Sequence, residues 1–197
     1  MSTDDEIMRR SREHPGAFAE IFDRHARTVH RYAARRLGVA AADDVMSETF
    51  LVAFERREAF DGSPNALPWL FGIATRLIAK HSRVEARAWR GLVAADLARV
   101  EPDQIGRADD RLDAERLATR AGAALRRLPA GDRDALLLYA WGDLGYEGVA
   151  AALGVPIGTV RSRLNRARRK LRIAIDPGGA REEVEHGRVV TSAPDSC

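Results

Sequence analysis

The stretch that decides the fold runs from Tyr146 to Arg172 and reads YEGVAAALGVPIGTVRSRLNRARRKLR. A short apolar segment ends at Gly154, Pro156 follows, and a second segment then has apolar residues at helical spacing. Between its apolar residues the second segment carries cations and no acidic residue: Arg161, Arg163, Arg166, Arg168, Arg169, Lys170 and Arg172. A solvated helix face usually mixes charges of both signs. The stretch therefore predicts a helix-turn-helix whose second helix lies against a polyanion.

The composition of the whole chain indicates an all-α protein of one or two domains. The chain has 197 residues and a formal net charge of only +3, so the basic character of this stretch is local. The one cysteine, Cys197, allows no disulfide within the chain, and the five histidines have no zinc-ligand spacing. The N-terminus does not resemble a signal peptide, and no apolar run approaches the ~20 residues of a membrane span. We therefore expect a cytoplasmic protein without membrane insertion.

Three helices are predicted upstream of the helix-turn-helix. Residues 1–14 are polar and acidic, and we expect them to be disordered. The first helix begins near Pro15 and stops at Gly38, and its apolar residues recur at intervals of three and four. The second helix spans about residues 41–57. A loop with turn chemistry throughout, residues 58–68, then leads to a third helix.

The second helix has two faces of different character. Its predicted buried stripe comprises Val45, Met46, Thr49, Phe50, Ala53 and Phe54. Another face places acidic residues beside aliphatic ones: Asp43, Asp44, Ser47, Glu48, Leu51 and Val52. From these residues alone, the helix is either an ordinary capped amphipathic helix or a docking face for a partner.

The third helix opens at Trp69 and combines an apolar stripe with cations on its other face, among them Arg76, Lys80 and Arg83. Aromatic and cationic side chains beside a polar loop suit single-stranded or melted nucleic acid, whose bases can stack on the rings. Trp69 is equally well explained as an anchor of the core, and one residue can have both roles.

The chain then changes character twice. From residue 91 to residue 113, Pro102, Gly106 and alternating charges interrupt any long apolar stripe, which predicts a flexible linker between two small helical domains. In the second domain, residues 114–173, Asp132 follows a Pro-Ala-Gly turn and is predicted to be an N-cap. The tail, residues 174–197, is polar and is expected to be disordered.

Five segments carry a resemblance to a known family: Phe18–Arg36, residues 43–50 (DDVMSETF), residues 69–74 (WLFGIA), Leu128-Pro129 and Gly154–Leu164 (GVPIGTVRSRL). In this order and spacing they resemble the extracytoplasmic-function (ECF) sigma factors, the small two-domain subfamily of bacterial RNA polymerase sigma subunits. The resemblance implies that residues 15–90 are sigma region 2 and residues 114–173 are sigma region 4. It implies RNA polymerase core and promoter DNA as partners, no cofactor, and a specificity subunit rather than an enzyme.

The resemblance also implies a role for individual residues. Those implied to dock on the clamp coiled coil of the largest polymerase subunit are Asp43, Asp44, Val45, Glu48, Thr49 and Phe50. Those implied to open and read the minus-ten element are Asp61, Ser63, Asn65, Trp69, Arg76, Lys80 and Arg83. Those implied to bind the minus-thirty-five duplex are Thr159, Val160, Arg161, Ser162, Arg163, Asn165, Arg166, Arg168 and Arg169. Family members are often held inactive by an anti-sigma factor, and the sequence does not identify one.

Two other classes of protein fit the sequence less well. A helix-turn-helix repressor or activator with an N-terminal helical sensor or dimerisation domain would not need the acidic docking face or the second basic strip. A nucleic-acid enzyme would need a supported nucleophile or a carboxylate cluster, and Asp109-Asp110 in the predicted linker is the only suggestive pair outside the docking helix. One departure from the family pattern stands out, because Arg76 and Lys80 replace its frequent Asn and Asp and add positive charge to the minus-ten helix.

Overall fold

The computed structural model describes residues 2–95 and 119–175, and of residues 84–95 it describes the backbone only. Every regular element within these residues is helical, which confirms the predicted all-α class. The helices are α1 (Asp4–Glu13), α2 (Ala19–Leu37), α3 (Val39–Glu55), α4 (Leu67–Ala95), α5 (residues 119–127), α6 (Ala130–Trp141), α7 (Tyr146–Leu153) and α8 (Ile157–Ile175). Short 3-10 helices at Pro15–Phe18 and Arg57–Ala59 precede α2 and follow α3.

The N-terminus is the clearest correction to the sequence prediction. Residues 1–14 were expected to be disordered, but α1 covers most of them, so that prediction is wrong. Thr3 and Glu6 form a capping box, in which each side chain accepts a hydrogen bond from the other residue's backbone N–H. Ile7 and Met8 are fully buried. The capped first turn and the two buried side chains therefore stabilise α1, although its sequence is otherwise polar.

The core of α2, α3 and α4 follows the predicted stripes closely. In α2, Val29 and Tyr32 are buried, and Gly38 ends the helix with a φ of +87°, a conformation that favours glycine. In α3 the stripe predicted from the residues alone is confirmed, since its members are buried or half-buried. The α4 helix begins two residues before Trp69 and continues to Ala95, into the predicted linker. The rest of that linker lies outside the described residues, as does the tail beyond residue 175.

The predicted helix-turn-helix is present. Gly154 caps α7 in the left-handed conformation, with a φ of +63°, and the backbone N–H of Val155 donates to the carbonyl of Ala150. Pro156 precedes α8, and its carbonyl accepts hydrogen bonds from the first turn of that helix. The predicted N-cap is wrong, because α6 begins at Ala130 and Asp132 lies inside its first turn.

The described residues fall into two compact units, one containing residues 2–95 and 137–161 and the other residues 119–136 and 162–175. The first unit holds the core formed by α1 to α4 together with the apolar side chains of α7. The second holds α5, the start of α6 and most of α8. The predicted domain boundaries stay a prediction.

Candidate nucleic-acid and polymerase interfaces

The α8 helix separates an apolar side from a cationic side. Its buried residues are Val160, Leu164 and Ala167, at the predicted helical spacing. Its exposed polar residues are Arg161, Asn165, Arg166, Arg168, Arg169, Lys170 and Arg172. Thr159, Ser162 and Arg163 are half-buried near the N-terminal end. Because Val160 is fully buried, its implied role as a DNA contact is corrected, and it holds the helix in place from beneath.

Two arginines of α8, Arg166 and Arg163, contact the start of α6. The guanidinium of Arg166 donates two hydrogen bonds to Asp132, at 2.8 and 3.2 Å, and the Asp132 carboxylate is nearly completely buried. These bonds hold the pKa of Asp132 below its ordinary value of 3.8, although burial acts to raise it. Arg163 packs over Gly131, where a Cβ atom would lie 2.9 Å from Cζ. Both arginines therefore fasten α8 to the start of α6, a role that differs from the implied DNA contact.

The loop before α4 is organised by its own side chains. The Asp61 carboxylate accepts a hydrogen bond from the backbone N–H of Ser63 at 3.1 Å, and the Asn65 amide oxygen accepts one from that of Leu67 at 2.9 Å. The Ser63 hydroxyl donates to the Asn65 carbonyl at 3.3 Å. Asp61 and Asn65 remain exposed, so the predicted loop residues lie at the surface in a defined set of turns.

Trp69 fits both of its proposed roles. Its ring packs edge-to-face on Phe60, with the centroids 5.4 Å apart, and Phe60 is buried. Trp69 itself is only half-buried and lies directly after the exposed loop. It therefore anchors the base of the loop and still presents part of an aromatic surface to solvent.

The cations of the predicted minus-ten strip are exposed along α4. Arg76, Lys80 and Arg83 follow one another at intervals of four and three, so they share a helix face. The ammonium of Lys80 lies 3.3 Å from a carboxylate oxygen of Glu48 on α3. Arg83 donates to the carbonyl of Ala79 in its own helix at 3.0 Å. The Lys80–Glu48 pair thus joins a residue of the minus-ten strip to one of the predicted core-binding face.

Fewer residues of α3 are exposed for docking on the polymerase core than the resemblance implied. Asp43 and Asp44 are exposed, Glu48 is half-buried, and Leu51 beside them is 58% exposed. Asp43 lies 3.2 Å from His30 on α2. The implied contacts Val45, Thr49 and Phe50 are buried in the protein's own core, so their role is corrected to support of the docking face from beneath.

Sequence reasoning missed Asp4, which lies in the N-terminal segment expected to be disordered. Its carboxylate is buried and accepts hydrogen bonds from Arg24, His25 and the backbone N–H of Ala66. Burial raises the pKa of Asp4, but these bonds together with the charge of His25 lower it overall. A usable signal existed in the sequence, because Thr3 and Glu6 have the spacing of a capping box.

Within the part of the chain that is described, no group of three or more His, Cys, Asp or Glu side chains could hold a metal ion. No helix among those residues is both long and apolar enough to cross a membrane.

Comparison with known proteins assigns the family. The family model for Sigma-70 region 2 matches residues 21–88, and the family model for Sigma-70, region 4 matches residues 119–171. The chain is 33% identical over 152 residues to the ECF RNA polymerase sigma factor SigC of Mycobacterium tuberculosis, covering 76% of this chain and 78% of that protein. The chain belongs to the ECF sigma factors. It is 36% identical over 140 residues to RNA polymerase sigma factor HrpL of Pseudomonas syringae, covering 68% of this ECF sigma factor and 73% of HrpL.

Solved structures share the fold of this ECF sigma factor. CnrH in complex with the cytosolic domain of CnrY gives a TM-score of 0.61 at 24% identity, covering 89% of this chain and 98% of that one. RpoE of Bartonella quintana in complex with the anti-sigma factor NepR gives 0.57 at 24% identity, covering 81% and 96%. The protein is thus an alternative sigma factor that directs promoter-specific transcription, and sigma factors are initiation factors rather than enzymes.

Proposed function

We propose that this sigma factor docks on RNA polymerase core through α3, opens and reads the minus-ten element with the loop at residues 61–66 and α4, and reads the minus-thirty-five element with α8. The observation that carries the proposal is the division of α8 into a buried apolar side and an exposed cationic side with no acidic residue along the helix. Such a helix can lie in a major groove while its apolar side stays on the protein.

For the minus-thirty-five element, we assign different work to the two ends of α8. Thr159, Arg161 and Ser162 near the N-terminal end would contact base edges, where an arginine can bond to guanine with two hydrogen bonds. Arg168 and Arg169 lie further along the exposed side and would neutralise phosphates. Phosphate contacts give affinity and register but no sequence information, so promoter choice would depend on the first turns of the helix.

For the minus-ten element, the exposed loop and the α4 cations would act on one melted strand. The loop would receive a flipped base of the non-template strand, and the half-exposed Trp69 would stack on a neighbouring base. Arg76, Lys80 and Arg83 would hold the phosphates of the same strand. The cations at residues 76 and 80, where the family often has Asn and Asp, would either strengthen the phosphate contact or change the base preference.

For the polymerase core, the exposed part of the α3 face would provide the contact. Asp43, Asp44 and Glu48 would pair with cations on the clamp coiled coil of the largest subunit, and Leu51 would become buried against it. The linker predicted from the sequence would leave the two domains without a fixed spacing on duplex DNA. Docking on the core would fix that spacing and raise the effective concentration of both reading elements at the promoter.

The deciding experiment is transcription by reconstituted holoenzyme on a library of genomic fragments, with core alone as the control. We expect initiation at a defined set of promoters only when the sigma factor is present. Initiation from no fragment would overturn the proposal.

A charge-reversed variant, Asp44→Lys with Glu48→Lys, tests the docking face of α3. It should fold normally and bind core more weakly, and unchanged core affinity would remove α3 from the proposal.

An anti-sigma protein is the class of regulator that we propose for this chain. The support is that RpoE of Bartonella quintana, which shares the fold, was solved with the anti-sigma factor NepR. A small protein from the same bacterium that binds the purified sigma factor and blocks its association with core would establish the regulator. Binding that leaves core association unchanged would argue against it.

A further inference from the structure

The N-terminal end of α1 holds the end of the loop that we assign to the minus-ten element. The Asp4 carboxylate accepts a hydrogen bond from the backbone N–H of Ala66 at 2.8 Å. The backbone N–H of Asp4 donates in turn to the carbonyl of Pro64 at 3.3 Å. Asp4 is 5% exposed and Ala66 is fully buried, so water does not replace these bonds readily.

The same carboxylate is also fixed to α2. Arg24 donates to one of its oxygens at 2.9 Å, and His25 lies 2.7 Å from the other. Arg24 also donates to the carbonyl of Ser2 at 2.8 Å, which holds the chain just before α1. Hydrogen bonds to ionised groups are roughly twice as strong as neutral ones. Asp4 therefore links the end of the loop to a helix that belongs to the core of the unit.

The hydrogen bonds within the loop determine its shape and not its position relative to α2. The bonds made by Asp61, Ser63 and Asn65 have both partners inside residues 61–67, so they define the turns of the loop. They do not by themselves fix the loop relative to α2. A reader of a flipped base needs its position fixed as well as its shape, because a displacement of about 1 Å can greatly reduce a geometry-dependent interaction.

We propose that Asp4 is a positioning residue for minus-ten recognition, and that its carboxylate holds the loop at residues 61–66 on α2 in the position that receives the flipped base. This inference rests on the proposed function of the loop. The buried Asp4 side chain acts through the loop and does not touch DNA. Asp4→Ala leaves the Ala66 N–H without its acceptor, whereas Asp4→Asn keeps the size and one acceptor oxygen but loses the charge that faces Arg24.

The test measures base selection by reconstituted holoenzyme, using a pool of promoter DNA with the minus-ten positions of the non-template strand randomised. Measurements are made well below the unfolding temperature of every variant. Asp4→Ala should reduce the preference for the captured base about tenfold, within the range of contacts that read bases, and Asp4→Asn should reduce it less. Selection at the minus-thirty-five positions and affinity for core should stay at wild-type levels, while amide exchange at Ala66 becomes faster.

A matched control separates positioning from stability. Ile7→Ala removes core packing from the same helix but keeps the Asp4 carboxylate and its hydrogen bond to Ala66, so it should lower stability and leave base selection unchanged. Wild-type selection by Asp4→Ala would overturn the inference, as would an equal loss of selection in Ile7→Ala. If Asp4→Ala does not fold, Asp4→Asn is judged by the same criteria.

A loop variant with Asp61, Ser63 and Asn65 all replaced by Ala separates this inference from the proposed function. If it leaves minus-ten selection unchanged, the loop is not the reader, and both the proposed function and the inference are overturned. If the loop variant loses selection while the Asp4 variants keep it, the proposed function stands and the role of Asp4 alone is refuted.

Discussion

Replacing Ile7 with Ala tests whether α1 is an integral part of the first unit. Ile7 is 0% exposed and lies in a core cluster with Phe18 and Ile21. The substitution removes three carbon atoms, which at about 0.8 kcal/mol per buried methylene gives roughly 2.4 kcal/mol. The cavity left behind adds to this loss, and isoleucine-to-alanine changes in cores cost roughly 2–5 kcal/mol. We therefore expect the free energy of unfolding to fall by about 3 kcal/mol.

The assay is urea-induced unfolding of the full chain followed by circular dichroism, with the midpoint and slope fitted separately. Arg9→Ala is the matched control on the same helix, because the Arg9 side chain is 62% exposed. A surface change of this kind should alter the free energy of unfolding by no more than about 0.5 kcal/mol. A loss in Ile7→Ala no larger than that of the control would refute the reasoning, since it would mean that α1 is not packed in solution.

Three further predictions concern α8. Arg169→Ala should weaken duplex binding to the same extent for all sequences and reduce the slope of log affinity against log salt concentration by about 0.9. Arg166→Ala should leave that slope unchanged, because Arg166 is paired with Asp132. Equal slopes for the two variants would contradict this pairing. Arg161→Ala should change the preference at one base pair by roughly 1–3 kcal/mol in a binding series over all single-base variants, and uniform weakening would make Arg161 a phosphate contact. The pKa of Asp132 is lowered on folding, so its stabilising contribution should be complete above about pH 4 and be lost as the pH falls through the folded value. Acid-unfolding curves should therefore be flatter in that range for Asp132→Asn, and superimposable curves would contradict this assignment.

The sequence predicted the helices well where apolar periodicity was long, and failed where order depends on few residues. Both α3 and α8 show the predicted buried stripes. The α1 helix escaped prediction because only Ile7 and Met8 interrupt a polar segment, and two apolar residues make no periodic pattern. Its order comes from contacts with residues far along the chain, such as the Asp4 hydrogen bond to Ala66. A pairing between residues so far apart in the chain cannot be predicted from the local sequence pattern.

The errors in the site residues have a different physical origin. Resemblance assigns a whole segment to an interface, but a helix turns successive residues to different sides. Val45 and Val160 lie within the matching segments and are nevertheless buried. The apolar periodicity of the same segments already indicates that both residues face the core. A residue that a resemblance implies to be a contact should therefore be excluded when it belongs to the apolar stripe of its helix. Arg166 required the structure, because its partner Asp132 is 34 residues away.

The ion pair between Lys80 and Glu48 raises the question of whether polymerase binding switches the minus-ten strip on. A core contact that engages Glu48 would compete with Lys80 for the carboxylate and release the ammonium to a phosphate. However, the two side chains are 68% and 43% exposed, and exposed ion pairs contribute only about 0–1 kcal/mol. Its release can change DNA affinity by less than about tenfold, because a tenfold change requires about 1.4 kcal/mol. The pair is therefore too weak to keep the free sigma factor inactive, so in the proposed function the dependence on core would come chiefly from fixing the two reading elements at one promoter.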